Sequence, residues 1–139
     1  MQNYAYLITT GHNAVKSISS STKTVVHLAN ANDTALYQWN IGGLISNGAQ
    51  FDVIGMSLYP EASNWSTLSA SALTTMQTMV SSYGKEIIVS EIGMDYTESA
   101  AAKLFIQDMI AKRARWATAA WGSSTGSPRR TRRTTAATT

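Results

Sequence analysis

Cysteine is absent from the 139 residues, which removes disulfides and thiolate metal sites together and leaves the redox compartment unread. Arginine is absent from residues 1–112, and acidic residues are absent from residues 113–139. The first stretch holds five lysines against eight acids, a balance of −3, while the second holds six arginines, a balance of +6. The basic character of the chain therefore belongs to its tail and says nothing of the part that folds. No apolar run approaches the roughly 20 residues that span a bilayer, and Met1-Gln2-Asn3-Tyr4 lacks the basic and apolar regions of a secretory signal. Pairs of the type His-x-x-x-His and acid clusters at ligand spacing are missing too, so no metal and no other cofactor is expected.

What is present is periodic. Tyr4, Leu7, Ile8, Val15 and Ile18 recur at helical spacing and predict a helix that ends in the serines Ser19 to Ser21. Thr24 to Ala29 follows as a strand. Asn32, Asp33 and Thr34 offer N-cap side chains to a second helix carrying Leu36, Trp39 and Leu44, with Gly48 beyond its end. Phe51 to Ser57 is the next strand, stopped by Pro60. Ser66 is placed to cap a third helix with Leu68, Leu73, Met76, Val80 and Tyr83 inside, and Gly84 suits the left-handed residue after it. Thr97 and Glu98 open a fourth helix with Leu104, Phe105, Met109 and Ile110 inside.

Between the third and fourth helices lies Lys85-Glu86-Ile87-Ile88-Val89-Ser90-Glu91, a β-branched run that predicts a buried strand with a carboxylate at its end. The order α, β, α, β, α, β, α implies parallel strands joined by right-handed crossovers, in an open doubly wound sheet or in a barrel. Each strand delivers polar or aromatic groups at or just past its carboxyl end: His27, Asn30, Asn32 and Asp33; Ser57, Tyr59 and Trp65; Glu91 and Tyr96. A barrel mouth is assembled from contributions of that kind, which favours the barrel.

Each candidate also has an ordinary structural reading. His27 suits a satisfied histidine of a strand as well as a ligand contact, and Asn32 and Asp33 suit helix caps. Trp65 could cover the end of a barrel or stack on a sugar ring. Glu91 is different in kind, because a carboxylate closing a buried strand must be paired, hydrogen-bonded or neutral. A structural ion pair is one outcome; an acid, base or nucleophile is the other.

The strings His27-Leu28-Ala29-Asn30, Phe51-Asp52-Val53-Ile54-Gly55-Met56-Ser57-Leu58-Tyr59-Pro60, and Tyr83-Gly84-Lys85 leading into Val89-Ser90-Glu91 resemble successive strand motifs of the glycoside hydrolase family 53 endo-β-1,4-galactanases. The resemblance covers roughly residues 5 to 100. It implies an α/β fold, a partial (β/α)8 barrel of roughly strands 5 to 7 with their helices, and retaining hydrolysis of the β-1,4-galactan of pectic arabinogalactan. Glu91 matches the nucleophile and Tyr59 the aromatic that orients it, while His27, Asn30, Ser57 and Trp65 fall where substrate contacts are expected. Leu58 departs from the aromatic usual in the family, and Ile92-Gly93 replaces the commoner Thr-Ala. The family's acid/base residue belongs to a Gly-Asn-Glu motif upstream, and this chain contains no such string. The resemblance therefore implies that the first four strands and the acid/base have been lost at the amino terminus, that the truncated chain is inactive alone, and that the intact protein is secreted or periplasmic.

The expected catalytic fragment is residues 1–112, and residues 113–139 are expected to be a disordered Arg/Thr-rich tail. Written as TCT-TCT-ACT-GGG-AGC-CCG and regrouped by taking each codon's last base with the next two, Ser123 to Pro128 yields Phe-Tyr-Trp-Glu-Pro, the expected eighth strand, so the tail reads as out of frame. The rival is a basic tail that binds nucleic acid through Arg129, Arg130, Arg132 and Arg133, but it has no interleaved aromatics, and neither nucleic acid nor membrane is the expected partner. Against the galactanase stands a second class of function, a small α/β carbohydrate- or ligand-binding module in which Glu91 only orients a bound hydroxyl.

Overall fold

The predicted strands close into one parallel sheet with the order β1-β2-β3, where β1 is Val25–Leu28, β2 is Val53–Leu58 and β3 is Glu86–Ile92. A computed structural model describes the backbone of residues 1–121 and the side chains of residues 1–112. Helix α1 (Gln2–Ile18) precedes β1. A helical stretch made of α2 (Thr34–Tyr37), a π-helical segment (Gln38–Gly42) and α3 (Gly43–Ser46) joins β1 to β2. Helix α4 (Trp65–Tyr83) joins β2 to β3, and a 3-10 turn (Tyr96–Glu98) leads into α5 (Ser99–Trp121).

Strand parity decides the layering. Val26, Ile54 and Ile87 lie opposite one another, as do Leu28, Met56 and Val89. These positions join Tyr37, Ile41, Met76, Met79 and Phe105 of the helices in a single core. The other parity carries Val25, His27, Gly55 and Ile88, with Val25 and Ile88 exposed. Among the described residues, helices thus cover one face only, as in the wall of a barrel, whereas a doubly wound sheet is covered on both. β2 is buried at all six positions because it alone has a strand on each side. Complete burial of a side chain such as Ile54 contributes roughly 1.5–3 kcal/mol.

Local chemistry places the helices. Asp33 accepts from the backbone N–H of Leu36 at 2.9 Å and caps α2, as its position predicted. Gly84 ends α4 at φ 62°, a left-handed conformation that a side chain would strain. Gly42 admits close packing: a Cβ there would lie 2.5 Å from the Tyr83 hydroxyl. Tyr37 is fully buried and spends its hydroxyl on the Leu28 carbonyl at 2.6 Å, locking the helical stretch to the end of β1. Burial pushes its phenol well above the ordinary tyrosine range.

Four local expectations need correction. Of the residues expected inside on the fourth helix, Phe105 and Met109 are buried, but Leu104 and Ile110 are exposed. Ser66 does not cap the third helix; α4 begins at Trp65 after Asn64, whose side chain instead accepts from the Glu61 N–H at 2.9 Å. The fourth helix opens at Ser99, because Asp95 first caps the 3-10 turn by accepting from the Thr97 N–H. The apolar stripe of α1 is not buried: Ala5 is its one buried residue, while Leu7 is 65 % and Ile18 90 % exposed. Among the described residues no strand lies beyond β1, so Leu7, Ile8, Val15, Val25 and Val26 line an open apolar groove. A matching groove runs along the β3 edge, lined by Ile88, Val89, Ile92, Ile106, Met109 and Ile110. The backbone of α5 stays helical to Trp121, past the expected start of the tail at residue 113. The frame-shifted strand and the arginine run lie outside the described residues.

Candidate active site

An irregularity in β3 decides where Glu91 points. Counting by twos from Ile87 and Val89, both turned toward the helices, would send Glu91 to the same side. Instead Met56 pairs with Val89 and Ser57 pairs with Glu91, which leaves Ser90 as an extra residue opposite the break. This bulge flips the parity of the strand end and puts Glu91 on the helix-free face, in line with Ser57. The Ser90 hydroxyl donates to the Met56 carbonyl at 3.3 Å and ties the extra residue down.

Four predicted residues meet there. Tyr59 donates its hydroxyl to Glu91 Oε2 at 2.7 Å. His27 Nδ1 lies 3.7 Å from Glu91 Oε1, and its Nε2 is hydrogen-bonded to Ser57 Oγ. The Glu91 side chain is 49 % exposed and faces outward from the open face. The hydrogen bond to Glu91, followed by burial and then the carboxylate's field, raises the Tyr59 phenol above its ordinary range, so that hydroxyl stays a donor across ordinary pH. Ser57, expected to touch substrate, is buried and its hydroxyl is taken by the His27 ring.

Gly93 was expected only as a departure from the family pattern, and the structure gives it a reason. A Cβ there would sit 2.9 Å from Tyr59 Cε1, closer than real contacts allow. The missing methyl group is where the Tyr59 ring lies on its way to Glu91.

Asn30 stands in the turn after β1 at φ 56°, a left-handed conformation that asparagine tolerates better than most residues. The turn is held because the Ala31 N–H donates to the Ser57 carbonyl at 2.9 Å. Asn30 is exposed; Trp65 opens α4 and is half-buried against the core. The loops after β2 and β3 border a cleft of about 400 Å³ lined by Pro60, Glu61, Ser63, Met94, Asp95 and Glu98, which includes neither Asn30 nor Trp65. The described residues contain no group of His, Cys, Asp and Glu that could hold a metal ion.

A second polar cluster, at the amino end of the sheet, was not legible as such. Asp52 Oδ2 accepts from the Thr24 N–H at 2.7 Å and the Thr24 hydroxyl at 3.1 Å, and pairs with Lys16 Nζ at 3.0 Å. His12 Nδ1 joins Thr24 Oγ1 at 2.7 Å. The Thr24 amide and then Lys16 pull the Asp52 carboxyl from 3.8 down to about 2. Its members come from positions as far apart as 12 and 52, and only the spacing of Asp52 just before a strand hints at a capping role.

Among the described residues, a parallel βα sheet bare on one face, with an exposed carboxylate at the carboxyl end of a strand, has the layout of a piece of a (β/α)8 enzyme barrel. Residues 1–124 match the family model for Glycosyl hydrolase family 53, and the chain belongs to that family. Its curated relatives include the probable arabinogalactan endo-β-1,4-galactanases A of Neosartorya fischeri and of Aspergillus fumigatus. Each is 33% identical over an alignment of 99 residues that covers 64% of this chain and 28% of the relative. A protein of Niallia circulans described as uncharacterized is 29% identical over 96 residues, 69% of this chain and 25% of its own length. The chain spans little more than a quarter of the length of the curated relatives it matches. No helix among the described residues is long and apolar enough to cross a membrane.

Proposed function

We propose that this chain carries the nucleophile of an endo-acting hydrolase for the β-1,4-galactosidic linkages of arabinogalactan, with strands β1 to β3 standing as the fifth to seventh of a (β/α)8 barrel. The observation that carries the reading is the Tyr59–Glu91 hydrogen bond of 2.7 Å on the bare face of the sheet. By engaging Oε2, Tyr59 fixes the plane of the carboxylate and leaves Oε1 as the attacking atom. Oε1 bonds to the anomeric carbon of a galactosyl unit as the glycosidic C–O bond breaks, and water later displaces the carboxylate with net retention.

Retention needs a second carboxyl group roughly 5–5.5 Å from the first, to protonate the leaving oxygen and then to activate water. The chain holds no Gly-Asn-Glu string, so that group is assigned to a part of the barrel outside these residues, and the chain alone is expected to be inactive. Asn30 at the turn after β1, the exposed part of Trp65, and His27 beside the nucleophile are assigned to sugar contacts. Galactan as substrate follows from the names of the relatives together with the strand motifs. A polysaccharide of the cell wall places such an enzyme outside the cytoplasm.

The test is a chimaera in which residues 1–112 replace the matching segment of the Aspergillus fumigatus relative. Release of galacto-oligosaccharides from galactan, lost on Glu91→Gln, is the expected result. A Glu91→Gln chimaera that hydrolyses galactan as well as the unaltered one removes the nucleophile assignment.

A further inference from the structure

We propose that Ser57 is a positioning residue: its buried hydroxyl donates to His27 Nε2, holds the imidazole proton on Nδ1, and so turns an N–H toward Glu91. Its consequence for catalysis rests on the reading of Glu91 as nucleophile, but the arrangement of protons can be measured without turnover.

A neutral imidazole has one donor nitrogen and one acceptor nitrogen, and the partner of one fixes the role of the other. Two arrangements are open to His27. If Nε2 carried the proton, Ser57 would accept it, and the Nδ1 lone pair would face Glu91 Oε1 from 3.7 Å. A lone pair set against a carboxylate is repulsive, and the Ser57 hydroxyl proton would need another acceptor inside a residue only 3 % exposed. If Ser57 donates instead, its proton is satisfied, and the Nδ1–H attracts the carboxylate. The second arrangement removes both penalties at once.

The separation of 3.7 Å is too long for a hydrogen bond, so the ring draws Oε1 electrostatically without occupying its lone pairs. Tyr59 meanwhile holds Oε2 at 2.7 Å. One oxygen is tied and the other is steered but left open, which is the state an attacking carboxylate needs.

The order Ser57, His27, Glu91 also has the form of an acyl-transfer triad, and two observations exclude that use. A serine 3 % exposed offers no attacking hydroxyl to a substrate, and 3.7 Å breaks the base-to-acid link that such a triad requires.

The experiment uses the 139-residue chain with ¹⁵N-labelled histidine. Long-range ¹H–¹⁵N correlations are recorded near pH 8.5, about two units above the ordinary imidazole range. In the unaltered chain His27 is expected to show a protonated Nδ1 and an unprotonated Nε2, nitrogens that resonate far apart. Ser57→Ala is expected to return the proton toward Nε2, the form that an unconstrained histidine side chain prefers; Ser57→Thr, which keeps the hydroxyl, restores the original pattern. His12 serves as the reference that does not move. An Nε2–H at His27 in the unaltered chain overturns the proposal by itself, even if Ser57→Ala does not fold. An Nδ1–H that persists in a folded Ser57→Ala chain overturns it equally. In the chimaera, Ser57→Ala is expected to lower kcat more than it changes KM. A galactanase chimaera that never works would leave the tautomer result standing, so the two readings fail separately.

Discussion

At the amino end of the sheet a histidine, a hydroxyl and a carboxylate gather around Lys16; at the carboxyl end another histidine, hydroxyl and carboxylate gather around Tyr59. The ingredients are nearly the same, and the difference lies in how the acid is spent. Asp52 takes a backbone N–H, a hydroxyl and a lysine on one oxygen, and its proton affinity falls to match. Glu91 receives one hydroxyl, and its other oxygen has only the His27 ring at 3.7 Å among the described residues. A carboxylate saturated with donors holds strands together, whereas one given a single orienting donor keeps electron density for a substrate.

The widest test of this contrast replaces each acid by its amide in the galactanase chimaera. If Glu91 has the proposed role, Glu91→Gln is expected to cut hydrolysis by about 10⁴-fold, while Asp52→Asn leaves kcat within about threefold. Equal losses from the two changes would erase the distinction between the ends. A smaller effect is expected from Tyr59→Phe, which keeps the ring and removes only the donor to Glu91 Oε2. Loss of one hydrogen bond to a charged group predicts a fall in kcat on the order of tenfold to a hundredfold, with KM little changed. A change confined to KM would make Tyr59 a sugar contact instead.

How much of this could be read from the sequence depends on the range of the cause. β2 and β3 were legible as strands because their apolar runs are continuous, and the caps at Asp33 and Gly84 because each acts within a few residues; β3, expected to be buried, instead stands at the edge of the described sheet with Ile87 as its one buried position, because a run of β-branched residues does not say whether a neighbouring strand covers it. Glu91 was found for the right strand end, but strict alternation would have aimed it at the helices; only the extra residue Ser90 turns it outward. Nothing in a run of β-branched residues announces a bulge, since its cause is the pairing with β2. Leu7 and Ile18 carry the periodicity of a buried face yet stand exposed, because periodicity reports what a helix could bury and not whether a neighbour is there. The Asp52 cluster and the Ser57–His27 link join residues about 30 positions apart, beyond the reach of local patterns.

Gly93 sharpens the picture of the carboxyl end on a finer scale. Adding a methyl group there puts a Cβ 2.9 Å from Tyr59 Cε1, so the ring must shift and its hydroxyl must leave the line to Glu91. Gly93→Ala is therefore expected to lower kcat by up to about tenfold, less than Tyr59→Phe. In the Tyr59→Phe background the same change is expected to cost almost nothing further, because the contact it disturbs has already lost its purpose. Additive losses would mean that Gly93 acts on the backbone of the loop and not through the ring.

The gentlest effect belongs to the amino end and needs no substrate. Asp52 has its folded-state carboxyl near 2 against an ordinary 3.8, a depressed value, so the stability it contributes is present above the ordinary value and is lost as pH falls through the folded one. The thermal midpoint of the chain is thus expected to decline as pH is lowered from about 4 to about 2. Asp52→Asn keeps the shape but cannot ionise, and it should lower the midpoint at neutral pH while flattening that acid slope. Some slope will survive the substitution, because the Thr97 hydroxyl and amide also depress Asp95 on the loop after β3. If the Asn variant keeps the whole slope, the Asp52 network is not what fastens α1 to the sheet, and the structural role given to this end of the molecule must pass to the apolar contacts of Ala5 instead.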